Sequence, residues 1–406
     1  MSSESEVDHP GEALLPGTLP EALRAELVAF RRDLHMHPEL GNQEFRTTAA
    51  IKARLEKAGL QPRVLAVGTG LVCDIGDPVE GVGRLALRAD IDALPIPDAK
   101  SECPYRSTVP DRAHACGHDV HTTVVLGAGL VLSDLHRQGL LPRPVRLLFQ
   151  PAEEVLPGGA ADAIECGVLD GVDQIIAVHC DPRVDVGKIG LRAGAITSAC
   201  DRLEISLDGP GGHTARPHLT TDLVTAAARV VTDVPALVAR RVDTRAGVAV
   251  TWGRIESGHA PNVIPQHAEL SGTVRCLDID AWRQAPDIVV GAIDDVANLH
   301  GAKSEINYVR GVPPVVNDPA VTELLREAMF TRRGTDSVEG TEQSLGGEDF
   351  SWYLERVPGA MARLGVRALG ERSVRDLHQG DFDVDESAIK VGVELFTAAA
   401  LLDATD

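Results

Sequence analysis

The sequence is poor in aromatic residues and in basic charge. Only 3% of its residues are Phe, Trp or Tyr, so aliphatic side chains must fill the core. Its 39 Lys and Arg stand against 60 Asp and Glu, which gives a formal net charge of −21. A surface with this charge repels phosphate backbones and anionic lipid surfaces. We therefore expect no nucleic-acid partner and no membrane association.

Long apolar runs and a recognisable secretory leader are also missing. No run of about 18 apolar residues occurs. The first residues, MSSESEVDHPGEALLPG, lack the basic and apolar regions of a secretory signal. The seven Cys residues show no framework spacing, which in a chain of 406 residues indicates reduced thiols. Together these features predict a cytoplasmic protein.

The order of helical and strand patterns predicts two domains. Residues 1–20 are acidic, carry Pro and Gly and show no periodicity, so we predict a mobile tail. Over residues 21–194, apolar strands such as RLALRAD and VRLLFQ alternate with helices, which is typical of an α/β sheet covered on both faces. Residues 195–311 follow the ferredoxin-like order β-α-β-β-α-β. Because residues 312–406 return to the first pattern, this α+β unit is predicted to be an inserted domain.

The segment from His114 to Thr123, HACGHDVHTT, concentrates side chains that bind metals. Cys116 and His118 flank a Gly, which lets the backbone turn so that the thiolate and the imidazole reach one metal or two adjacent metals. Taken alone, the pair has a second interpretation, a small core Cys beside a helix-capping His. Three histidines, a cysteine and an aspartate in one short segment favour the metal site. We predict a helix after them, from about Thr122 to Gln138.

Further candidate ligands lie where predicted strands end. In PAEE, Glu153 and Glu154 follow the apolar strand VRLLFQ, and adjacent residues of an extended chain point in opposite directions. One carboxylate can therefore bind a metal while the other faces a metal-bound water; a solvated loop pair is the alternative. His179 ends the next strand, and His378 lies near the C-terminus. With the Cys and His of the first segment, these side chains exceed the four ligands of a closed structural site, which favours two metals.

Nine segments, in order, resemble the two-metal peptidase family that contains the aminoacylases: HPEL, RADIDALPI, HACGHD, FQPAEE, AVHC, GGHTARPH, NVIP, GGEDF and LHQGDF. Within that family the sequence is similar to the amidohydrolase branch, which includes hippurate hydrolases and indole-acetyl-amino-acid hydrolases. The resemblance runs from about Glu21 to the last helix. It implies an α/β fold, with a mixed-sheet metallopeptidase-like catalytic domain. The inserted ferredoxin-like α+β domain would then serve as a lid and in dimerisation.

The resemblance also implies a role for each residue that matches a family motif. The implied metal ligands are Cys116, His118, Glu154, His179 and His378. Cys116 is the implied bridge between the two metals. Glu153 is the implied general base, His213 the implied oxyanion-stabilising residue and Asp92 the carboxylate that orients a ligand. The implied substrate-binding residues are Asn262, Arg275, Gly346 and Gly347. Arg275 suits a carboxylate because a guanidinium can bind one through two parallel hydrogen bonds.

The implied activity is hydrolysis of the amide bond of a small-molecule N-acyl amino acid or a similar conjugate, with Glu153 acting on a metal-bound water. Two divalent ions per chain are implied; Zn fits the ligand set best, and Mn, Co or Ni also fit. A hydrolase of N-carbamoyl or peptide substrates is the alternative, as is a non-catalytic metal-binding relative. Cys116, where peptidases of the wider family use Asp, favours the acyl-amidase side. We also expect a homodimer or a higher homo-oligomer.

Two positions depart from the family pattern. Ala113 precedes HACGHD where Met is common, and Met36 stands in HMHPEL where Arg is common. Neither residue is an implied ligand. These departures therefore concern the shape of the pocket and leave the implied chemistry intact.

Overall fold

The computed structural model describes residues 17–371 and 373–402, so most of the predicted tail lies outside the described residues. The α-helices are α1 (Glu21–Met36), α2 (Phe45–Lys57), α3 (His118–Arg137), α4 (Ala160–Glu165), α5 (Leu223–Arg241), α6 (Ile279–Leu299), α7 (Pro319–Arg333), α8 (Ser351–Leu354) and α9 (Ser387–Leu401). The strands are β1 (Arg63–Val64), β2 (Leu71–Ile75), β3 (Arg84–Asp90), β4 (Val145–Gln150), β5 (Val172–Asp185), β6 (Ile189–Leu191), β7 (Gly194–Ala195), β8 (Ala199–Asp208), β9 (Gly212–His213), β10 (Ala249–Ser257), β11 (Val263–Ile264), β12 (His267–Cys276), β13 (Lys303–Val312), β14 (Val316–Asn317), β15 (Val338–Gly340) and β16 (Gly359–Arg367). In this part of the chain, none of the helices is long and apolar enough to cross a membrane.

The larger sheet has eight strands in the order β1-β2-β4-β3-β5-β16-β6-β15. Strands β4, β3, β5 and β16 run parallel to one another, whereas β2 and β6 pair antiparallel with their neighbours in this group. The predicted α/β class and mixed sheet are therefore confirmed. The carboxyl ends of the four parallel strands open on one edge of the sheet, which is where α/β folds commonly bind ligands.

Helices cover both faces of this sheet. The apolar cluster on one face includes Leu85 and Leu87 of β3 with residues of α3 and α9, and the cluster on the other includes Ala86 with residues of α4 and α8. Strands buried on both faces need no polar alternation, which explains their nearly continuous apolar sequences. Strand β16 places Met361 in the second cluster. By the same alternation the charged residue Arg363 lies on that face.

The smaller sheet has the order β10-β12-β8-β13, with antiparallel pairing throughout. With α5 and α6 it follows the predicted ferredoxin-like order along the chain. Each helix begins after an Asp, Asp222 or Asp278, whose carboxylate accepts a hydrogen bond from a backbone N–H of the first turn. Residues of this unit alone form its apolar core cluster. The unit therefore has its own core.

The chain enters and leaves the smaller unit through two short paired strands. Strand β7 precedes the unit, β14 follows it, and the two pair antiparallel. Because the two crossing points are adjacent, the unit can be inserted without separating the parts of the larger fold. This pairing supports the domain boundaries that we propose at residues 195 and 311.

The structure differs from the sequence prediction at the start of α3 and in several short strands. The helix predicted from about Thr122 begins at His118, after Gly117 in the left-handed conformation with φ 87°. The first turn of α3 contains His118, Asp119 and His121, which are polar although they are buried. The predicted start came too late because the apolar pattern begins only after this turn. The strands β6, β7, β9, β11, β14 and β15 were not predicted. Two or three residues carry too little alternation to be recognised.

Candidate active site

A tight turn at Gly117 positions the two central residues of HACGHD. A Cβ atom at Gly117 would lie 2.7 Å from Sγ and 2.9 Å from Cβ of Cys180, and φ is 87°. Glycine is therefore required here both by backbone conformation and by space. On either side of the turn, the ligand atoms of Cys116 and His118 each lie within 4.8 Å of those of His179.

The candidate ligands converge at the carboxyl edge of the large sheet in two groups. Sγ of Cys116 lies 3.5 Å from Nε2 of His179. With His118 they form one group whose ligand atoms are all within 4.8 Å of one another, and Cys116 forms a second such group with Glu154 and His378. Cys116 thus belongs to both groups. A thiolate in this position can contact two metals at once.

The hydrogen bonds of the histidines leave their ligand nitrogens available. Nδ1 of His179 donates to the carbonyl of Cys180 at 2.9 Å, so Nε2 carries the lone pair. Nδ1 of His118 donates to the carbonyl of Asp92 at 2.9 Å. Nε2 of His118 and Oε1 of Glu154 are buried and have no hydrogen-bond partner in the described part of the chain. Metal-binding histidines are typically fixed in this way through their second nitrogen.

A divalent cation fits this set of side chains. Buried polar atoms without a partner are rare in proteins, and here they lie beside one another. Thiolate, imidazole and carboxylate ligands match Zn²⁺, and Mn²⁺, Co²⁺ or Ni²⁺ can also use them. His378 completes the set from a loop, with φ 61° and a backbone N–H that donates to Ala115 at 2.8 Å. Its Nε2 lies 3.4 Å from Oε1 of Glu154.

Asp92 contacts two of the candidate ligands. Its Oδ2 accepts the backbone N–H of Glu154 at 3.0 Å, and its Oδ1 lies 3.3 Å from Nδ1 of His118. Burial alone would lower the pKa of His118, but the carboxylates of Asp90, Asp92 and Glu154 raise it to about 10. Asp92 thus ties the positions of both candidate ligands to one buried carboxylate.

Glu153 lies beside the candidate ligands, and its carboxylate is close to two further carboxylates, those of Glu348 and Asp349. Its Oε2 is 3.9 Å from Nε2 of His118. Its carboxylate also forms a group with Glu348 and Asp349, with oxygens within 4.8 Å of one another. Burial, followed by the charges of Glu348 and Glu154, raises the pKa of Glu153 well above its ordinary value. A carboxyl group with a raised pKa can accept and return a proton near neutral pH.

A buried cation, Arg88, holds the carboxylates at the base of the site. Its guanidinium donates to Asp90 at 2.7 Å, to Asp349 at 2.8 Å and to Oε1 of Gln150 at 2.9 Å. It also lies 3.2 Å from Glu348. We did not predict this network from the sequence. The available signal was a charged residue inside the apolar strand RLALRAD.

His121 is a second residue that the sequence interpretation left without a role. Its Nε2 accepts the backbone N–H of Cys180 at 2.8 Å, so its Nδ1 carries the proton and donates to Asp90 at 2.6 Å. The charge of Asp90 is therefore shared between Arg88 on one side and His121 on the other. The sequence feature that could have indicated a role for His121 is its place as the third histidine of HACGHDVH.

A cavity of about 380 Å³ opens above these residues, a size suited to a small ligand. All the candidate ligands except His118 line it, as does Glu153. Gly346 and Gly347 form part of its wall. The lining also includes Arg363, which the sequence interpretation missed although it is a charged residue within the apolar strand GAMARLGV.

The predicted site residues of the inserted unit lie outside the cavity lining. His213 and Asn262 are exposed and adjacent, because β9 pairs with β11 and the backbone N–H of Thr214 donates to the carbonyl of Asn262 at 3.2 Å. Arg275 donates to the carbonyl of Leu345, in the loop that supplies the two glycines of the wall. The structure thus brings the ligands and Glu153 together but leaves His213 and Asn262 apart from them.

Ligand-type side chains around a cavity at the carboxyl edge of an α/β sheet form a candidate metal site, and the further carboxylate beside them is what metal-dependent hydrolysis requires. Residues 86–402 match the model of peptidase family M20/M25/M40. The chain belongs to this family.

Two Bacillus subtilis proteins that the chain matches support the same branch. The chain is 38% identical over 386 residues to N-acetyl-L-cysteine deacetylase of Bacillus subtilis, covering 95% of this chain and 90% of that protein. The YXEP protein of Bacillus subtilis, described as a dinuclear metal binding peptidase from the M20 family, matches with a TM-score of 0.81 and 34% identity over 94% of this chain and 98% of that one. A protein of Rhodococcus jostii is 47% identical over 378 residues, but the match spans 93% of this chain and 47% of that protein.

These matches confirm the predicted family and its amidohydrolase branch. The protein is a hydrolase, and the dinuclear relative implies two divalent metal ions for the site. The branch also implies a small-molecule substrate.

Proposed function

We propose that this protein hydrolyses the amide bond of N-acyl amino acids and releases a carboxylic acid and an amino acid. The observation that carries the proposal is the position of Glu153, in the cavity and beside the candidate ligands, with its pKa raised by burial. Similarity to two Bacillus subtilis proteins named as N-acetylcysteine deacetylases, at 38% and 36% identity, supports the substrate class.

In this proposal two divalent ions, Zn²⁺ by preference and Mn²⁺, Co²⁺ or Ni²⁺ as alternatives, are held by Cys116, His118, Glu154, His179 and His378. When bound, the ions supply Lewis acidity, which polarises the amide carbonyl and lowers the pKa of water. Glu153 takes the proton from the attacking water and delivers it to the leaving nitrogen. Asp92 keeps the backbone of Glu154 and the ring of His118 in place.

The inserted unit supplies the remaining groups in our proposal. His213 stabilises the negative charge that develops on the carbonyl oxygen, and Asn262, Arg275, Gly346 and Gly347 bind the substrate. Because His213 and Asn262 do not line the cavity, these roles require the unit to approach it as a lid. Closure of this kind also excludes water from the reaction.

A substrate panel tests the proposed class. The metal-replete protein is assayed with N-acetyl and longer N-acyl derivatives of several amino acids, including N-acetyl-L-cysteine, and the released amino acid is quantified. N-carbamoyl amino acids and dipeptides form two further arms. We expect N-acyl amino acids to have the highest kcat/KM. A preference for either of the other arms would replace our proposal with the alternative that arm represents.

Glu153→Gln tests the mechanism. We expect kcat to fall by about 10²-fold or more, the usual scale for a lost general base, while elemental analysis still finds both metals. Glu165→Gln, on the exposed side of α4, is the matched control and should have wild-type activity. Near-normal turnover by Glu153→Gln with metals bound would refute the role of Glu153. A wild-type protein that binds metals but cleaves none of the panel would support the non-catalytic alternative.

A further inference from the structure

Arg363 is a buried cation that lines the cavity. It lies in β16 and is 5% exposed. Its Nε and Nη2 atoms are buried and have no hydrogen-bond partner among residues 17–371 and 373–402. An arginine stays protonated even when buried, so the guanidinium carries a full charge there. A buried charge that nothing pairs is strongly unfavourable.

The two carboxylates whose charges act on Arg363, Asp181 and Glu348, are already bound to other groups. Asp181 is held by Arg183, which donates to it from the backbone N–H at 2.9 Å and from Nε and Nη2 at 3.1 Å. Glu348 accepts the backbone N–H of Phe350 at 3.0 Å and lies 3.2 Å from the guanidinium of Arg88. Neither forms an ion pair with Arg363 within the described chain. Among the residues that the structure describes, no ion pair therefore neutralises this guanidinium.

The other neighbour of Arg363 makes the need for an anion greater. In the parallel pairing of β16 with β5, Arg363 is the register partner of His179, and both side chains lie on the same face of the sheet. An imidazole carries no negative charge, so His179 does not offset the charge of Arg363. Divalent ions at the candidate ligands would add more positive charge beside the same guanidinium.

We propose that Arg363 binds a carboxylate of the substrate inside the cavity, next to the scissile amide. The proposal rests on the proposed function and adds the recognition of an anionic group to it. A guanidinium can bind a carboxylate through two parallel hydrogen bonds, and Nε and Nη2 of Arg363, which form one side of the guanidinium, have no hydrogen-bond partner among the described residues. Arg275, by contrast, is half-buried at the rim and already donates to the carbonyl of Leu345.

Matched substrate pairs test this contact and show which side of the amide carries the carboxylate. The first pair is an N-acetyl amino acid and its carboxamide, which lacks the carboxylate of the amino acid. The second pair is the N-succinyl and N-butyryl derivatives of one amino acid amide, which differ by a carboxylate on the acyl side. Each is assayed with the metal-replete wild type, Arg363→Met and Arg363→Lys.

We expect Arg363→Met to lower kcat/KM about 10- to 100-fold for the anionic member of one pair, mainly through KM, with little change for its neutral partner. Arg363→Lys should fall between, because it keeps the charge but loses the fork. The substrate-free Arg363→Met protein should be at least as thermally stable as the wild type, since a buried unpaired charge is removed. If Arg363 had a purely structural role, Arg363→Met would instead have a lower melting temperature than the wild type.

An equal loss for the neutral and anionic members of both pairs, or no loss for any, would overturn the carboxylate contact. A wild-type enzyme that cleaves none of the four compounds would refute the proposed function itself. A wild-type enzyme that cleaves them while both variants match it would refute only the role of Arg363.

Discussion

Replacing Gly117 by Ala should damage both the fold and the metal site. A residue other than glycine pays about 1–2 kcal/mol for a left-handed conformation, and Gly117 has φ 87°. The new Cβ atom would also lie 2.7 Å from Sγ of Cys180, and overpacking of a filled site costs about 1–3 kcal/mol more. We therefore expect the free energy of unfolding to fall by about 2–5 kcal/mol. Because Cys180 follows His179 directly in β5, relief of the clash must displace a candidate ligand.

Gly139→Ala is the control for this experiment. Gly139 follows the other end of α3 with φ 71°, and nothing lies within 4 Å of the position of its Cβ. This variant should therefore lose only about 1–2 kcal/mol and bind metals like the wild type. Denaturant unfolding measures the stabilities, and titration of the metal-free proteins with Zn²⁺ measures the affinities. Equal losses of stability with unchanged Zn²⁺ affinity in both variants would refute the steric argument.

Three further variants test other parts of the structure. Glu154→Ala should lower the metal content, measured by elemental analysis, and activity with it; full occupancy would exclude Glu154 as a ligand. Arg88→Met leaves buried carboxylates without their cation, so denaturant unfolding should show a loss of about 3–5 kcal/mol, and a loss below about 1 kcal/mol would contradict this. Burial raises the pKa of Asp98, but hydrogen bonds from His35 and from two backbone N–H groups lower it by more than burial raises it. The pKa of Asp98 therefore lies below its ordinary value. A carboxylate whose pKa is lowered in the folded state stabilises that state at pH values above its pKa in the unfolded chain, about 3.9. The free energy of unfolding lost in Asp98→Asn should therefore be largest at pH 7 and should shrink below about pH 4. A difference that stays constant down to pH 3 would contradict this assignment.

The sequence alone locates the centre of the site because its residues obey simple rules of chain geometry. Cys116 and His118 are close along the chain, and Glu153 and Glu154 follow β4 at the carboxyl edge of the sheet. His179 was expected at the end of a strand but lies inside β5, two residues past the last register pair of β5 with β3. The alternation of strands and helices likewise predicts the α/β class. None of these inferences requires knowledge of how distant segments pack.

The parts that escaped prediction depend on such packing. Arg88 bonds to Asp349, far along the chain, so neither residue alone reveals the pair. Arg363 occupies a position that the pattern assigns to the core, and only the arrangement of β16 beside β5 shows that it faces a cavity. The position of His213 depends on how the inserted unit sits, which local sequence does not encode.

Strand β16 enters the large sheet between β5 and β6, although the whole four-stranded unit separates it from both in the chain. During synthesis on the ribosome, one edge of β5 must therefore wait unpaired while that unit emerges. The inserted unit has its own core and can fold in this interval. His378 is synthesised later still, so the candidate site acquires its full set of ligands only after this residue has emerged. A metal ion can therefore meet the complete set of ligands only after β16 and the segment that follows it have been made, and until β16 arrives the open edge of β5 is available for pairing with other chains.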